Sequence, residues 1–143
     1  MRIWKQGKNS DTCLACVAAM AFDSSPSFFR LWCKKNHKDC YDNIAFMDFG
    51  ADKGFWVDID NKKAPDFTYY FKHYKFLTKA GRAKLLPMST PAMLLEKMDG
   101  VECDYHALYW TGKDLIDPDP RTPDHFPWDS YKITMVFPIH VKE

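Results

Sequence analysis

The first part of the chain carries two apolar runs, each preceded by residues that commonly begin helices. One run of small and apolar residues starts at Cys13, directly after Asp11-Thr12, and either of those polar residues can cap a helix. A second run starts at Pro26 after two serines, and proline is favoured at the first helical position. We therefore predict a buried helix that begins at Cys13 and a second helix from Pro26 to about Cys33.

The second half of the chain predicts one further helix and then strands. Thr90-Pro91 opens an apolar run that Gly100 closes, which predicts a helix between them with Thr90 as its cap. Two β-rich runs flank residues 111–114, whose sequence Thr-Gly-Lys-Asp predicts a hairpin turn. Residues 131–137 alternate well enough to predict the closing strand of an antiparallel sheet.

The register of the predicted hairpin depends on its turn. If Gly112-Lys113 is a two-residue turn, His106 and Asp117 become diagonal neighbours on one face of the hairpin. The carboxylate of Asp117 could then hold the imidazole of His106, with Asp119 directly opposite His106 as a second candidate for that task. A three-residue turn would place His106 and Asp117 on opposite faces, so the two-residue turn is the testable part of this prediction.

Cys13 is the residue whose position predicts chemistry most directly. In the first turn of a helix, unpaired backbone N–H groups and the helix dipole favour a negative charge. A thiol in that position tends towards the thiolate, which is the form that attacks a carbonyl carbon. Gln6 lies a few residues upstream and could place its side-chain amide beside the sulfur as an oxyanion donor. Segment 6–20 therefore predicts a nucleophile site.

Segment 6–20 resembles the N-terminal motif of papain-like cysteine peptidases, in which a Gln precedes the nucleophilic Cys and that Cys opens a helix. The resemblance is closest to the bacteriocin-processing (double-glycine leader) peptidases and their small stand-alone relatives in bacteria and phages. The run Cys13-Leu14-Ala15-Cys16-Val17-Ala18-Ala19-Met20 fits their helix pattern Cys-x-x-Ala/Cys-x-Ala-x-Met. His106, followed later by Asp117-Pro118, resembles the family's strand-borne His and the Asp-Pro that ends the next strand.

This resemblance implies an α+β, papain-like fold in a single domain over residues 1–143, with N-terminal helices packed on a C-terminal antiparallel sheet. It implies a cysteine peptidase in which Cys13, His106 and Asp117 form a catalytic triad. Gln6 would complete the oxyanion hole. The reaction would be hydrolysis of a peptide or isopeptide bond in a protein or peptide substrate, with no need for a cofactor or a metal. Deamidation and acyl transfer to another acceptor use the same groups and stay open.

Two other kinds of function stay open from the sequence. The same fold could serve as a non-catalytic binding protein, for instance a phage factor that occupies a host protein. Gln6 precedes Cys13 by seven positions, where the family has about six, and this difference favours the binding protein. The chain also offers four ligands that would suit tetrahedral zinc in a small zinc module: Cys13, Cys16, His37 and Cys40.

Composition limits the remaining classes. The chain of 143 residues suits one domain with its own core, and its formal net charge of +1 indicates no general attraction to nucleic acids or membranes. It has no apolar run of transmembrane length, and its first residues lack the apolar core of a signal peptide. We therefore expect a cytoplasmic protein. Segment 62–84 mixes basic residues with aromatic rings, and we expect these rings to pack inward rather than to bind nucleic acid.

Overall fold

The computed structural model describes residues 2–7, 12–97, 105–120 and 131–143, and within these ranges helices precede most of the strands. The helices are α1 (Cys13–Ala21), α2 (Pro26–Lys35), α3 (Asn43–Asp52), α4 (Ala64–His73) and α5 (Lys79–Leu85). Short 3-10 turns at Asn61–Lys63 and Tyr74–Phe76 flank α4. The strands are β1 (Phe55–Val57), β2 (Ala92–Lys97), β3 (Tyr105–Trp110), β4 (Leu115–Ile116) and β5 (Ile133–Val141).

The two N-terminal helices begin where their capping residues predict. Thr12 Oγ1 accepts a hydrogen bond of 3.0 Å from the backbone N–H three residues later, and this cap makes Cys13 the first residue of α1. Ser25 Oγ accepts the equivalent bond of 3.1 Å at the start of α2. Both predicted helix starts are confirmed. Asp11, the other cap considered for α1, lies outside the described residues.

The helix predicted between Thr90 and Gly100 is wrong, because residues 92–97 form the strand β2. β2 lies between β3 and β5 and pairs with both of them in antiparallel fashion. Its first four residues are buried, and they alternate between the core clusters on the two sides of the sheet. A central strand that is covered on both faces shows a continuous apolar run, which local signals cannot distinguish from a buried helix. Gly100 itself lies outside the described residues.

The sheet has the strand order β1-β5-β2-β3-β4 with antiparallel pairing throughout. On one face, α1, α2 and α3 pack against it in a cluster that includes Phe46 and Phe49. On the other face, α4 surrounds Trp110 with the rings of Phe67 and Tyr70. The observed architecture is therefore α+β, with N-terminal helices packed on an antiparallel sheet. In the described part of the chain, no helix combines the length and the apolar character needed to cross a bilayer.

The aromatic rings of segment 62–84 contribute mainly to this second cluster. Phe67, Tyr70 and Phe71 are buried there against the sheet, which confirms the expected inward packing for three of the rings. Tyr69 and Phe76 stay exposed on the outer side. Core packing thus accounts for much of the aromatic content of this segment, while its lysines lie mostly at the surface.

β3 and β4 form the predicted hairpin, with Gly112-Lys113 as a two-residue turn. The Thr111 N–H donates a hydrogen bond of 2.9 Å to the Asp114 carbonyl, and the next two residue pairs continue this register. The Thr111 hydroxyl also accepts the Asp114 N–H at 2.9 Å, which closes the turn from the side chain. The predicted register is therefore confirmed, and it makes His106 and Asp117 diagonal neighbours across the hairpin.

We expect Gly112→Ala to destabilise this turn strongly. Gly112 has a φ of +100°, and a Cβ at this position would lie 2.3 Å from the Ser89 carbonyl oxygen. The positive φ alone costs a residue with a side chain about 1–3 kcal/mol, and the backbone clash adds to that cost. Gly54 has a φ of +94°, and a Cβ added there would meet nothing within 4 Å, so Gly54→Ala is a matched control. Urea unfolding should show the larger loss of stability in Gly112→Ala, and equal losses would contradict the clash.

Candidate active site

The candidate nucleophile lies where α1 meets the sheet. Cys13 is the first residue of α1 and is half-buried against β3. Its Sγ accepts a hydrogen bond of 3.3 Å from the Ala107 N–H, and its side chain also hydrogen-bonds to His106. The structure therefore brings Cys13 and His106 together from positions that are far apart in the chain.

The imidazole of His106 is held on its other side by Asp117. His106 Nε2 lies 2.6 Å from Asp117 Oδ1, and both side chains are largely buried, with exposed fractions of 14% and 9%. Because Asp117 engages Nε2, Nδ1 is the ring nitrogen that remains for Cys13. The three side chains thus form a relay from thiol to imidazole to carboxylate, in the order that general-base activation of a thiol requires.

Both carboxylate oxygens of Asp117 are held in place by further donors. The Tyr131 hydroxyl donates to Oδ2 at 2.9 Å, and the Asp119 N–H donates to Oδ1 at 2.9 Å. Asp119, the second candidate for holding the imidazole, thus contacts Asp117 through its backbone. Asp117 is the carboxylate that contacts His106. Lys5 also reaches this point, since its Nζ donates to the Asp117 carbonyl.

These contacts displace the pKa values of all three groups. Burial raises the pKa of the Cys13 thiol, but hydrogen bonds from His106, Ala107 N–H and Leu14 N–H, with the His106 charge, outweigh it and lower the pKa overall. Burial lowers the pKa of His106, but its bonds to Asp117 and Cys13 outweigh that effect and raise it. Burial raises the pKa of Asp117, while His106, Asp119 N–H and Tyr131 lower it overall. These shifts all favour the ionised forms, a thiolate and an imidazolium beside a carboxylate.

Gln6 is anchored at the edge of this site by its backbone. Its N–H donates a hydrogen bond of 2.8 Å to the Pro118 carbonyl, and Pro118 directly follows Asp117. The half-buried side chain of Gln6 therefore starts from a point next to the relay. Its role as an oxyanion donor stays a prediction. The link from Gln6 to α1 runs through residues 8–11, which lie outside the described residues.

Two side chains at this site are not indicated by the sequence pattern. That pattern predicts Tyr131 only as part of the closing strand, although its hydroxyl reaches Asp117. It places Glu96 in the incorrect helix, although Glu96 lies directly across the sheet from His106. Glu96 reaches the site through the pairing of β2 with β3, and Tyr131 reaches it through the path of the chain into β5. No local sequence pattern marks such contacts.

Cys13 and Cys16, two of the ligands of the alternative zinc module, have other surroundings in the structure. Cys16 is fully buried in the helix–sheet core, where burial and the charge of Cys13 raise its pKa to about 11. Cys13 is engaged with His106 and Ala107. Within the described ranges, no three His, Cys, Asp or Glu side chains are grouped so that they could hold a metal ion. Cys103 lies outside those ranges. The described geometry therefore favours the thiol relay over a zinc module.

Comparison of the chain with protein-family models, with curated proteins and with solved structures found no match. A proposal for the function therefore rests on the geometry of this site and on the chemistry of its residues.

Proposed function

We propose that this protein is a cysteine-dependent acyl-transfer enzyme that hydrolyses a peptide or isopeptide bond in a protein or peptide substrate. The observation that carries the proposal is the relay of Cys13, His106 and Asp117, in which α1 supplies the thiol and the β3–β4 hairpin supplies the other two groups. A nucleophile, a base bonded to it and a carboxylate that orients the base are the groups that covalent acyl transfer requires.

The reaction would begin with attack of the Cys13 thiolate on the carbonyl carbon of the scissile bond. The His106 imidazolium then gives its proton to the leaving amine as the tetrahedral intermediate collapses to a thioester. A water molecule, deprotonated by neutral His106, attacks the thioester and releases the carboxylic acid with the thiolate restored. Asp117 keeps the ring oriented and stabilises its charged form in both steps.

The oxyanion of the tetrahedral intermediate would form at the N-terminus of α1. The first-turn N–H groups of a helix and its dipole favour negative charge. The Leu14 N–H already interacts with the Cys13 sulfur, so this end of α1 faces the reacting atoms. We propose that the Cys13 N–H and the Gln6 side-chain amide hold the oxyanion.

The layout supports a papain-like fold as part of this proposal. Papain-like peptidases carry the nucleophile on a helix and the histidine with its partner on a sheet, and substrate lies between the two layers. Here α1 and the hairpin stand in that relation, with α1 packed on β3. Deamidation would differ only in the group that leaves, and transferase chemistry only in the acceptor that replaces water.

The first test is labelling of the native protein with a limiting amount of iodoacetamide across pH, with the modified cysteine identified by mass spectrometry. We expect preferential alkylation of Cys13 at pH values below the ordinary thiol pKa of about 8.5. His106→Ala should abolish this preference because it removes the partner that stabilises the thiolate. His73→Ala, in α4 on the face of the sheet opposite α1, is the matched control and should leave the labelling unchanged.

The opposite outcome has a clear meaning. Slow and equal labelling of all five cysteines would show that Cys13 is not activated, and it would contradict the enzymatic proposal. The spacing of seven residues between Gln6 and Cys13 would then favour a binding protein on the same fold. The next experiment would be to identify its protein partner.

A further inference from the structure

Glu96 is the second carboxyl group beside His106. In the pairing of β2 with β3, Glu96 lies directly opposite His106, and opposed residues of an antiparallel pair present their side chains on the same face. The register between β2 and β5 shifts between Leu95 and Glu96, and such a bulge re-aims the side chain that follows it. Glu96 is half-buried at this end of the sheet, so its carboxyl group is partly withdrawn from water.

The Glu96 carboxyl group also lies near the segment that carries Tyr131. The Lys132 N–H is close enough to lower its pKa, and the preceding residue, Tyr131, donates its hydroxyl to Asp117 Oδ2 at 2.9 Å. Glu96 also interacts electrostatically with His106, Asp117 and Tyr131. One side chain on β2 thus acts on the charges of both His106 and Asp117.

We infer that Glu96 is a positioning residue of the candidate active site, whose carboxyl group places a second, titratable negative charge beside His106. This inference rests on the proposed function, since it assigns Glu96 a task in the same relay. Glu96 acts through His106 and Asp117 and has no place in bond making.

The environment of Glu96 makes its charge variable near neutral pH. Burial and the charge of Asp117 raise its pKa to about 7, against the opposing effects of His106 and the Lys132 N–H. Tyr131, whose own pKa is raised by burial and by Asp117, stays a neutral phenol there. From α4, the residue that bonds to the start of β5 is the neutral Thr68. Among the described residues, two charged groups therefore act on the ionisation of Glu96: the imidazolium of His106 favours it and the carboxylate of Asp117 opposes it.

The direction of the effect follows from the charges. Below about pH 7 the neutral Glu96 leaves His106 with one carboxylate, so its imidazolium is the stronger acid and protonates a leaving amine more readily. Above that pH the ionised Glu96 stabilises the imidazolium further and makes it a weaker acid. Glu96 would therefore set the alkaline side of the pH range over which His106 serves as a general acid.

Carboxyl NMR of the full-length protein labelled with carbon-13 glutamate tests this directly. The chain contains three glutamates, Glu96, Glu102 and Glu143, so the spectrum is simple. We expect one carboxyl resonance to titrate near pH 7 and to disappear in Glu96→Gln. Gln has the shape of Glu, and the side chain is only half-buried, so the fold should survive. The absence of a carboxyl resonance titrating well above the ordinary glutamate range in the wild type would overturn the inference, whether or not the variant folds.

The ring resonances of labelled His106, assigned with His106→Ala, provide the second readout. In the wild type they should shift with an inflection near pH 7, when Glu96 ionises, and Glu96→Gln should lose this inflection and lower the pH at which His106 itself titrates. Asp114→Asn, which removes one exposed charge from the hairpin turn, should keep the inflection. An inflection that persists in Glu96→Gln would overturn the inference. Neither readout needs turnover, whereas the activation of Cys13 is judged separately by alkylation, so the two proposals fail distinguishably.

Discussion

Cys13→Ala is expected to abolish acyl transfer while leaving the fold intact. The side chain that is lost supplies the attacking atom, and removing the nucleophile of a triad typically lowers the rate on the order of 10⁵ to 10⁶-fold. Alanine has the highest helix propensity, so α1 should still begin at this position. The main stabilising interaction that this variant loses is the hydrogen bond from the Ala107 N–H to the sulfur.

The measurement is the reaction with p-nitrophenyl acetate, an activated ester that acylates a reactive thiolate without a specific substrate. The wild type should release p-nitrophenol in a rapid burst of about one equivalent, and Cys13→Ala should show no burst. Cys40→Ala is the matched control, because Cys40 is a half-buried thiol outside the relay, and it should keep the full burst. A burst that survives in Cys13→Ala would place the nucleophile elsewhere and end the proposal.

Asp117→Asn should have the second-largest effect, a loss of activity of about 10²- to 10⁴-fold. The Asn amide oxygen can take the place of Oδ1 between the Asp119 N–H and the His106 ring, but it carries no charge that would stabilise the imidazolium. Asp117 also raises the pKa of His106, so without its charge the imidazolium would lose its proton at lower pH. The Cys13 thiolate would then lose the cation that lowers its own pKa.

The pH dependence of Cys13 alkylation shows in which direction Asp117→Asn changes the reactivity of the thiol. In the wild type, the thiolate–imidazolium pair persists from the lowered pKa of Cys13 up to the raised pKa of His106. In Asp117→Asn, alkylation of Cys13 should fall most below the ordinary thiol pKa of about 8.5 and recover towards that pH, where the thiol ionises without help. A profile that does not move would show that Asp117 does not act through His106.

Asp119→Asn is the matched control for this variant. Asp119 holds Asp117 through its backbone N–H, which asparagine retains, so Cys13 should remain close to wild-type reactivity. If Asp119→Asn were the more damaging of the two variants, Asp119 would be the orienting carboxylate instead, the alternative that the sequence leaves open.

Local sequence determined the parts of this site that depend on short-range contacts. Thr12 caps α1 three residues ahead and makes Cys13 its first residue, and caps of this kind need only neighbouring atoms. The turn at Gly112-Lys113 needs a residue that tolerates positive φ, and it sets the register in which His106 meets Asp117. Helix starts and a two-residue turn are local events, so the placement of Cys13, His106 and Asp117 on these elements was predictable from the chain alone.

The surroundings of the relay were decided only by the tertiary structure. Residues 92–97 carry helix signals at Thr90-Pro91, yet β3 and β5 bond to both edges of this segment and core clusters cover both of its faces. These long-range bonds and buried contacts outweigh propensities worth a few tenths of a kcal/mol per residue. The same pairing brings Glu96 opposite His106, while the path of the chain into β5 brings the Tyr131 hydroxyl to Asp117. The sequence thus determined the elements that place Cys13, His106 and Asp117, and the assembly of the sheet determined the charges and hydrogen bonds that surround them.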